Sequence, residues 1–269
     1  MPTRSSPLAF MGKLLLVCLM VWQAPVWALT PEERGLEIAR ESERRDEGWG
    51  NFSAELMMVL RNRRGETSTR QIHSYTFEGV DDGDKSLLVF DSPADVRGTK
   101  FLTFAHKEGD DDQWLYLPAL KRVKRISSAN KGGAFMGSEF SYEDMTAPVL
   151  EKYSYRYIRD DDYKGRRVFV TERIPKDPHS LYSRQVVWTD QVHYIPWRVE
   201  YYNRRGDHLK TLTYHKYKRY LGRYWRPGRM VMTNHRNGKA TALVWKHYRF
   251  RDPEITVRMF DPAKLTQLR

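Results

Sequence analysis

From Trp49 to Phe250 the chain repeats one pattern: long runs of aromatic and β-branched residues, partly alternating with polar ones, broken at short intervals by Gly, Asn and Asp. Period-two alternation puts every second side chain on one face of an extended strand, so the pattern predicts antiparallel β-sheet. Strands are expected over 49–61, 67–78, 85–91, 99–107, 113–117, 121–126, 151–159, 166–173, 183–189, 197–203, 209–217, 229–235 and 241–250, about a dozen in all. Tyr153, Tyr155 and Tyr157 share one face, Trp197, Val199 and Tyr201 another, and Leu243 with Trp245 a third. Helix is scarce: Thr30-Pro31 with Glu33 signals a capped helix to about Asp46, and a short terminal helix is expected over 262–268. A large sheet with one apolar face and so little helix must close on itself, stack on a second sheet, or curl around something, and the last leaves a concave apolar surface. No Pro-, Ser- or Gly-rich linker and no internal repeat divides the chain, so 29–269 is expected to form a single domain.

The first 28 residues read differently. Arg4 and Lys13 precede the apolar run from Leu14 to Trp22, and Val26-Trp27-Ala28 supplies small residues suited to cleavage after about Ala28, the pattern of a secretory signal peptide. The run is too short for a spanning helix, and no later segment approaches the roughly 20 apolar residues a bilayer needs. Cys18, the only cysteine, follows bulky Val17, unlike a lipid-modified cysteine, and falls within the leader. The remaining chain then has no disulfide, thiol nucleophile or thiolate ligand. The whole chain carries 46 Lys and Arg against 34 Asp and Glu, a charge of +12; without Arg4 and Lys13 it is 44 against 34, or +10. Such a charge fits an anionic partner, and an exported protein meets lipid headgroups rather than nucleic acid.

The stretch from Trp114 to Met145 combines an aromatic strand, a basic strand (Lys121, Arg122, Lys124, Arg125), a Gly-rich loop (Gly132, Gly133, Gly137) and an apolar segment ending in a single predicted turn. Ser141 followed by Asp144 reads as a capping pair. Two readings are open: a flexible lid over an apolar pocket, or a loop whose apolar residues plug the domain's own core.

Catalytic patterns are missing. Eight His are present, but no G-x-S-x-G elbow accompanies them, and the tightest His pair, His208 and His215, is seven apart across a predicted strand. The Asp-rich stretches lack the register and final Glu of an EF-hand. The run 215–226 interleaves basic and aromatic residues; it reads as a hairpin with Tyr and Trp inward and Lys216, Lys218 and Arg219 toward water or an acidic partner. These features predict neither an enzyme nor a metal or other cofactor.

Ser92-Pro93 with Gly98 to Leu102, Trp114 to Pro118, Lys121 to Ile126, Phe135 to Met145 and Trp225-Arg226-Pro227, in that order, resemble the LolA-like outer-membrane lipoprotein-sorting family, especially its branch of uncharacterised periplasmic members. The resemblance implies an incomplete antiparallel β-barrel of about eleven strands with an N-terminal helix, a short helical lid over its mouth, and a cavity for acyl chains. On that basis Phe135, Met136, Phe140, Tyr142 and Met145 are expected to gate the cavity, with Phe52, Leu56, Met58, Leu60, Leu102, Phe104, Trp114, Tyr116, Trp197, Val199, Met230, Met232 and Trp245 as its walls. Lys121, Arg122, Lys124 and Arg125 are the expected contact with headgroups or a partner. The implied function is a monomeric periplasmic carrier of a lipid or acylated lipoprotein, working with an inner-membrane transporter and an outer-membrane acceptor; the alternative is a non-catalytic adaptor subunit of an envelope (RND-type) transporter.

Overall fold

A computed structural model describes Met1 and residues 29–267; the signal-peptide segment expected over 1–28 lies, apart from Met1, outside the described residues. Helix α1 (Pro31–Asp46) begins as its sequence dictates. The Thr30 hydroxyl accepts from the Glu33 amide at 3.2 Å, and the Glu33 carboxylate accepts from the Thr30 amide at 2.8 Å, satisfying two otherwise open donors.

Among the described residues fifteen strands follow: β1 (Asn51–Arg61), β2 (Thr67–Phe77), β3 (Lys85–Ser92), β4 (Lys100–Phe104), β5 (Asp112–Leu117), β6 (Arg122–Ile126), β7 (Tyr153–Asp162), β8 (Arg167–Pro175), β9 (Tyr182–Asp190), β10 (Pro196–Asn203), β11 (His208–His215), β12 (Lys218–Tyr220), β13 (Tyr224–Arg226), β14 (Arg229–Asn234) and β15 (Ala240–Phe250). Thirteen of them form one antiparallel sheet in the order β6-β5-β4-β3-β2-β1-β15-β14-β11-β10-β9-β8-β7, and β12 with β13 makes a separate hairpin. The sheet is not closed, because β6 and β7 are both edges with a single partner each. Counting both edges gives thirteen strands where about eleven were expected.

One apolar cluster collects side chains from across the sheet, from Ile126 on β6 through Leu56, Met58 and Leu243 in the middle to Tyr182 and Val199 on β9 and β10. Strands so far apart in the order can share a cluster only if the sheet curls, so this marks the concave face. Helix α1 runs along the backbone of edge strand β7. A Cβ at Gly35 would come within 2.7 Å of the Arg156 backbone, so glycine is what permits the approach, and the helix masks an edge otherwise open to further pairing.

A second cluster lies on the convex face. Leu87 and Leu102 pack there with Ile255, Phe260 and Leu265 of the C-terminal tail, and Phe104, Trp114 and Tyr116 join them. Lys100 donates to the Leu265 carbonyl at 2.8 Å and Asn51 to the Ile255 carbonyl at 3.1 Å, fastening the tail across the sheet. The terminal helix expected over 262–268 is a single 3₁₀ turn, Pro262–Lys264.

The segment between β6 and β7 holds no α-helix, so the expected helical lid is corrected to a chain of 3₁₀ turns: Ser128–Asn130, Phe135–Gly137, Glu143–Met145 and Leu150–Lys152. Met136 sits in the left-handed region at φ 48, which a continuing helix cannot accommodate. Ser141 and Asp144 do cap one another: the Ser141 amide donates to the Asp144 carboxylate at 2.7 Å, and the Asp144 amide to the Ser141 hydroxyl at 3.3 Å.

Candidate functional site

The 128–146 segment fills one end of the curled sheet. Phe135 and Phe140 are 0% and 1% exposed, and the Phe135 ring lies 4.8 Å from Phe101, 5.6 Å from Tyr142 and 6.1 Å from Phe90. Met136, Tyr142 and Met145 pack around the same cluster. Polar groups stitch the segment to the far half of the sheet. Tyr182 donates to both Asp144 oxygens at 2.8 and 2.9 Å, Lys210 stands 3.5 Å from Asp144, Glu143 accepts from Ser180 and from the Leu181 amide, and Asn234 donates to Glu139 at 2.7 Å. Burial lifts Glu143 above the usual carboxylate range, against the lowering effect of those hydrogen bonds. Of the two readings open from sequence, the plug is the one that requires the burial of Phe135 and Phe140 in the core cluster.

The other end is hollow. A cavity of about 840 Å³ lies between the concave face, the last turns of α1, the β12–β13 hairpin and the end of the plug at Met145. A second cavity of about 670 Å³, between α1 and strands β7 to β10, shares Ser42, Asp46, Trp49, Asp84, Ala147, Pro196 and Tyr214 with it, so the two adjoin. Each is within the size range of ligand sites.

The expected wall residues divide into four groups. Phe52, Leu56, Met230 and Trp245 line the larger cavity, and Val199 lines the smaller. Met58, Leu60 and Met232 belong to the core cluster around the plug. Leu102, Phe104, Trp114 and Tyr116 are corrected to the convex face, under the C-terminal tail. Strand β4 is buried on both sides, Lys100 to Thr103 all being inaccessible, so alternation there could not separate inside from outside. Trp197 is the extra residue of a bulge, where β10 shifts register between Pro196 and Arg198; its ring packs under Arg166 and edge-on to Tyr217, away from the cavity lining.

Sequence reasoning did not find the polar parts of the hollow. Arg226 turns inward from the hairpin, pairs with Asp46 at 2.5 Å and lies over Trp49, Phe52 and Phe250. Burial raises the Asp46 carboxyl despite that pairing. Asp84, on the floor of both cavities, is pushed up to about 6, mainly by burial and against the hydrogen bond it accepts from the Gly79 amide. Tyr217 donates to the Pro196 carbonyl at 2.6 Å, and burial holds its phenol well above the ordinary range. A hairpin was readable in 215–226, and Lys218 and Arg219 are exposed as expected, but nothing in the pattern marked Arg226 as the inward-facing cation.

Lys121, Arg122, Lys124 and Arg125 are exposed at the edge of the sheet, where Arg125 bonds Asp112. Among the described residues no three His, Cys, Asp or Glu converge as a metal site, and no helix is long and apolar enough to cross a membrane.

A family model described as an uncharacterized protein matches residues 82–267. The crystal structure of an outer membrane lipoprotein-sorting protein domain from Vibrio parahaemolyticus is 51% identical, aligns over 88% of this chain and 100% of its own, and superposes with a TM-score of 0.86. A DUF1329 family protein from Desulfovibrio piger is 31% identical over 88% of this chain and 100% of its own, with a TM-score of 0.82. A LolA superfamily protein from Nitrosomonas europaea, 18% identical over 87% of this chain and 98% of its own, shares the fold with a TM-score of 0.67. No curated protein matches the chain. The unclosed antiparallel sheet with one N-terminal helix is the fold shared with the LolA superfamily protein, and the two relatives at 51% and 31% identity place the chain in the family of the outer-membrane lipoprotein-sorting domain and the DUF1329 protein.

Proposed function

We propose that the protein is a periplasmic carrier, exported by a leader cleaved after about Ala28, that takes a lipid or lipoprotein acyl chain into the hollow beneath α1 and moves it between membranes or membrane proteins. The observation that carries this reading is the cavity of about 840 Å³ that the plug leaves open, with Phe52, Leu56, Met230 and Trp245 in its walls. Each CH₂ withdrawn from water contributes about 0.8 kcal/mol, so a chain of a dozen or so carbons offsets the entropy lost on capture. No covalent step, cofactor or second copy of the chain is required. The name of the Vibrio relative, a lipoprotein-sorting protein, agrees with such cargo.

The exposed cations at β6 fit contact with anionic headgroups, each contributing roughly 1 kcal/mol at a membrane surface. The same open, basic edge favours the adaptor reading, since an unpaired strand invites docking by a transporter subunit. Native mass spectrometry of protein purified without detergent separates the two. A lipid bound one to one supports the carrier; lipid-free protein that retains an inner-membrane pump overturns it in favour of the adaptor.

A further inference from the structure

A single polar rung crosses the concave face. Reading the register from β7 to β14, Tyr155 stands opposite Arg173, Arg173 opposite Gln185, Gln185 opposite Tyr201, Tyr201 opposite Lys210 and Lys210 opposite Asn234. Residues directly opposite in a sheet share a face, so all six point to the same side. Two are answered by acids of the plug: Lys210 by Asp144 at 3.5 Å and Asn234 by Glu139 at 2.7 Å. Arg173 is not. It lies past the end of the plug, where the wall opens into the hollow.

Its surroundings are those of a guanidinium built to receive a charge. Nε donates to Gln185 at 2.7 Å and the group stacks over Tyr153 at 5.0 Å; both Nη groups lack a protein partner, and among the described residues no carboxylate stands within 4.0 Å. Glu43, Asp46, Glu47, Glu78, Asp82, Asp84 and Glu151 line the same cavity, with Asp46 engaged by Arg226, but none of them comes within 4.0 Å of the guanidinium. Four phenols lie around Arg173, those of Tyr153, Tyr155, Tyr201 and Tyr214. Burial raises all of them, Tyr214 to about 12, so they stay protonated and offer hydroxyl donors. The Tyr155 hydroxyl already donates to the Leu150 carbonyl at 3.2 Å, whereas the Tyr214 hydroxyl has no hydrogen-bond partner and its residue lines both cavities. Arginine cannot shed its proton, and a partly buried charge without a counter-charge is costly.

We propose that Arg173 is an anion seat inside the hollow: the carboxylate or phosphate head of a single-tailed amphiphile docks on its two Nη groups, with Tyr214 beside it. The alkyl tail then runs past Tyr214 toward Phe52, Leu56 and Met230. This inference rests on the carrier reading and adds to it the charge and position of the head. A fork of two parallel N–H donors matches either oxyanion, and both leave a neutral head at a disadvantage.

The test compares dodecanoate, dodecyl phosphate and dodecanol, measured by displacement of a neutral fluorescent probe from wild-type protein and from Arg173→Met. Both anions are expected to bind the wild type about tenfold or more tightly than the alcohol, the effect of one charge-assisted pair. Arg173→Met is expected to erase that difference and leave dodecanol within about twofold of its wild-type affinity. Arg173→Gln, which keeps a polar partner for Gln185, repeats the measurement should the Met variant fail to fold. The better of the two anions identifies the headgroup. Equal binding of all three ligands by the wild type, or an anion preference that survives in the variants, overturns the seat while leaving the carrier in place; no binding of any of them overturns the carrier and the seat together.

Discussion

Replacing Phe135 by Ala distinguishes a plug from a gate. The side chain is fully inaccessible and its ring touches three others, at 4.8, 5.6 and 6.1 Å. Removing a fully buried Phe costs about 3–5 kcal/mol, the sum of lost transfer energy and the void left behind. The void would be hard to fill, because Lys131 bonds Asp177 before the residue, and Glu139, Glu143 and Asp144 after it hold the segment to β14 and the start of β9, preventing collapse. For a chain of this size such a loss lowers the melting temperature by roughly 10 °C. Equilibrium urea unfolding followed by tryptophan fluorescence, with Met145→Ala as the comparison, measures it. Met145 faces the hollow and its truncation is expected to cost less than about 2 kcal/mol. A Phe135→Ala loss below about 1 kcal/mol, equal to or smaller than that of Met145→Ala, would refute the plug and restore the segment as a mobile cover.

Three other perturbations follow from named contacts. Asp84→Asn should stabilise the protein at pH 7 to 8: the folded carboxyl titrates at about 6, above its unfolded value of 3.8, so its charged form is penalised above that pH and the penalty fades as pH falls through 6 toward 4. The gain is at most about 3 kcal/mol and, with partial hydration, nearer 1–2, read from urea midpoints across that range. Asp144→Ala strands Lys210, 7% exposed at its side chain, without its counter-charge and should cost about 3–5 kcal/mol in the same assay. Gly35→Ala forces a Cβ to within 2.7 Å of the Arg156 backbone; a loss of roughly 1–3 kcal/mol is expected even though Ala is the better helix former, and an unchanged midpoint would mean that α1 does not lie on β7 as described.

Local structure was largely readable from sequence because its causes are local. The Thr30 to Glu33 capping box, the thirteen windows that became the thirteen sheet strands, and the Ser141 to Asp144 cap each depend on neighbours a few residues away. What covers each face depends on partners distant in sequence. Leu102, Phe104, Trp114 and Tyr116 have the residue types of a cavity wall, and they do face apolar neighbours, but those neighbours belong to the tail 251–267 on the convex side. Trp197 shares the alternation of Val199 and Tyr201 until a one-residue bulge removes it from their face. Arg173 carries no pattern of its own: its isolation becomes visible only when Asp144 and Glu139 are seen to serve Lys210 and Asn234 along the same rung. Residue type reported that a side chain is buried; the fold decided against what.

The most direct measurement is anomalous diffraction from crystals soaked with dodecanoate brominated at its terminal carbon. The account predicts a bromine peak in the larger cavity beside Phe52, Leu56, Met230 and Trp245, with the plug at Phe135 unmoved. Bromine between the plug and the sheet, against Phe101 or Leu115, or on the convex face under the C-terminal tail, would contradict it.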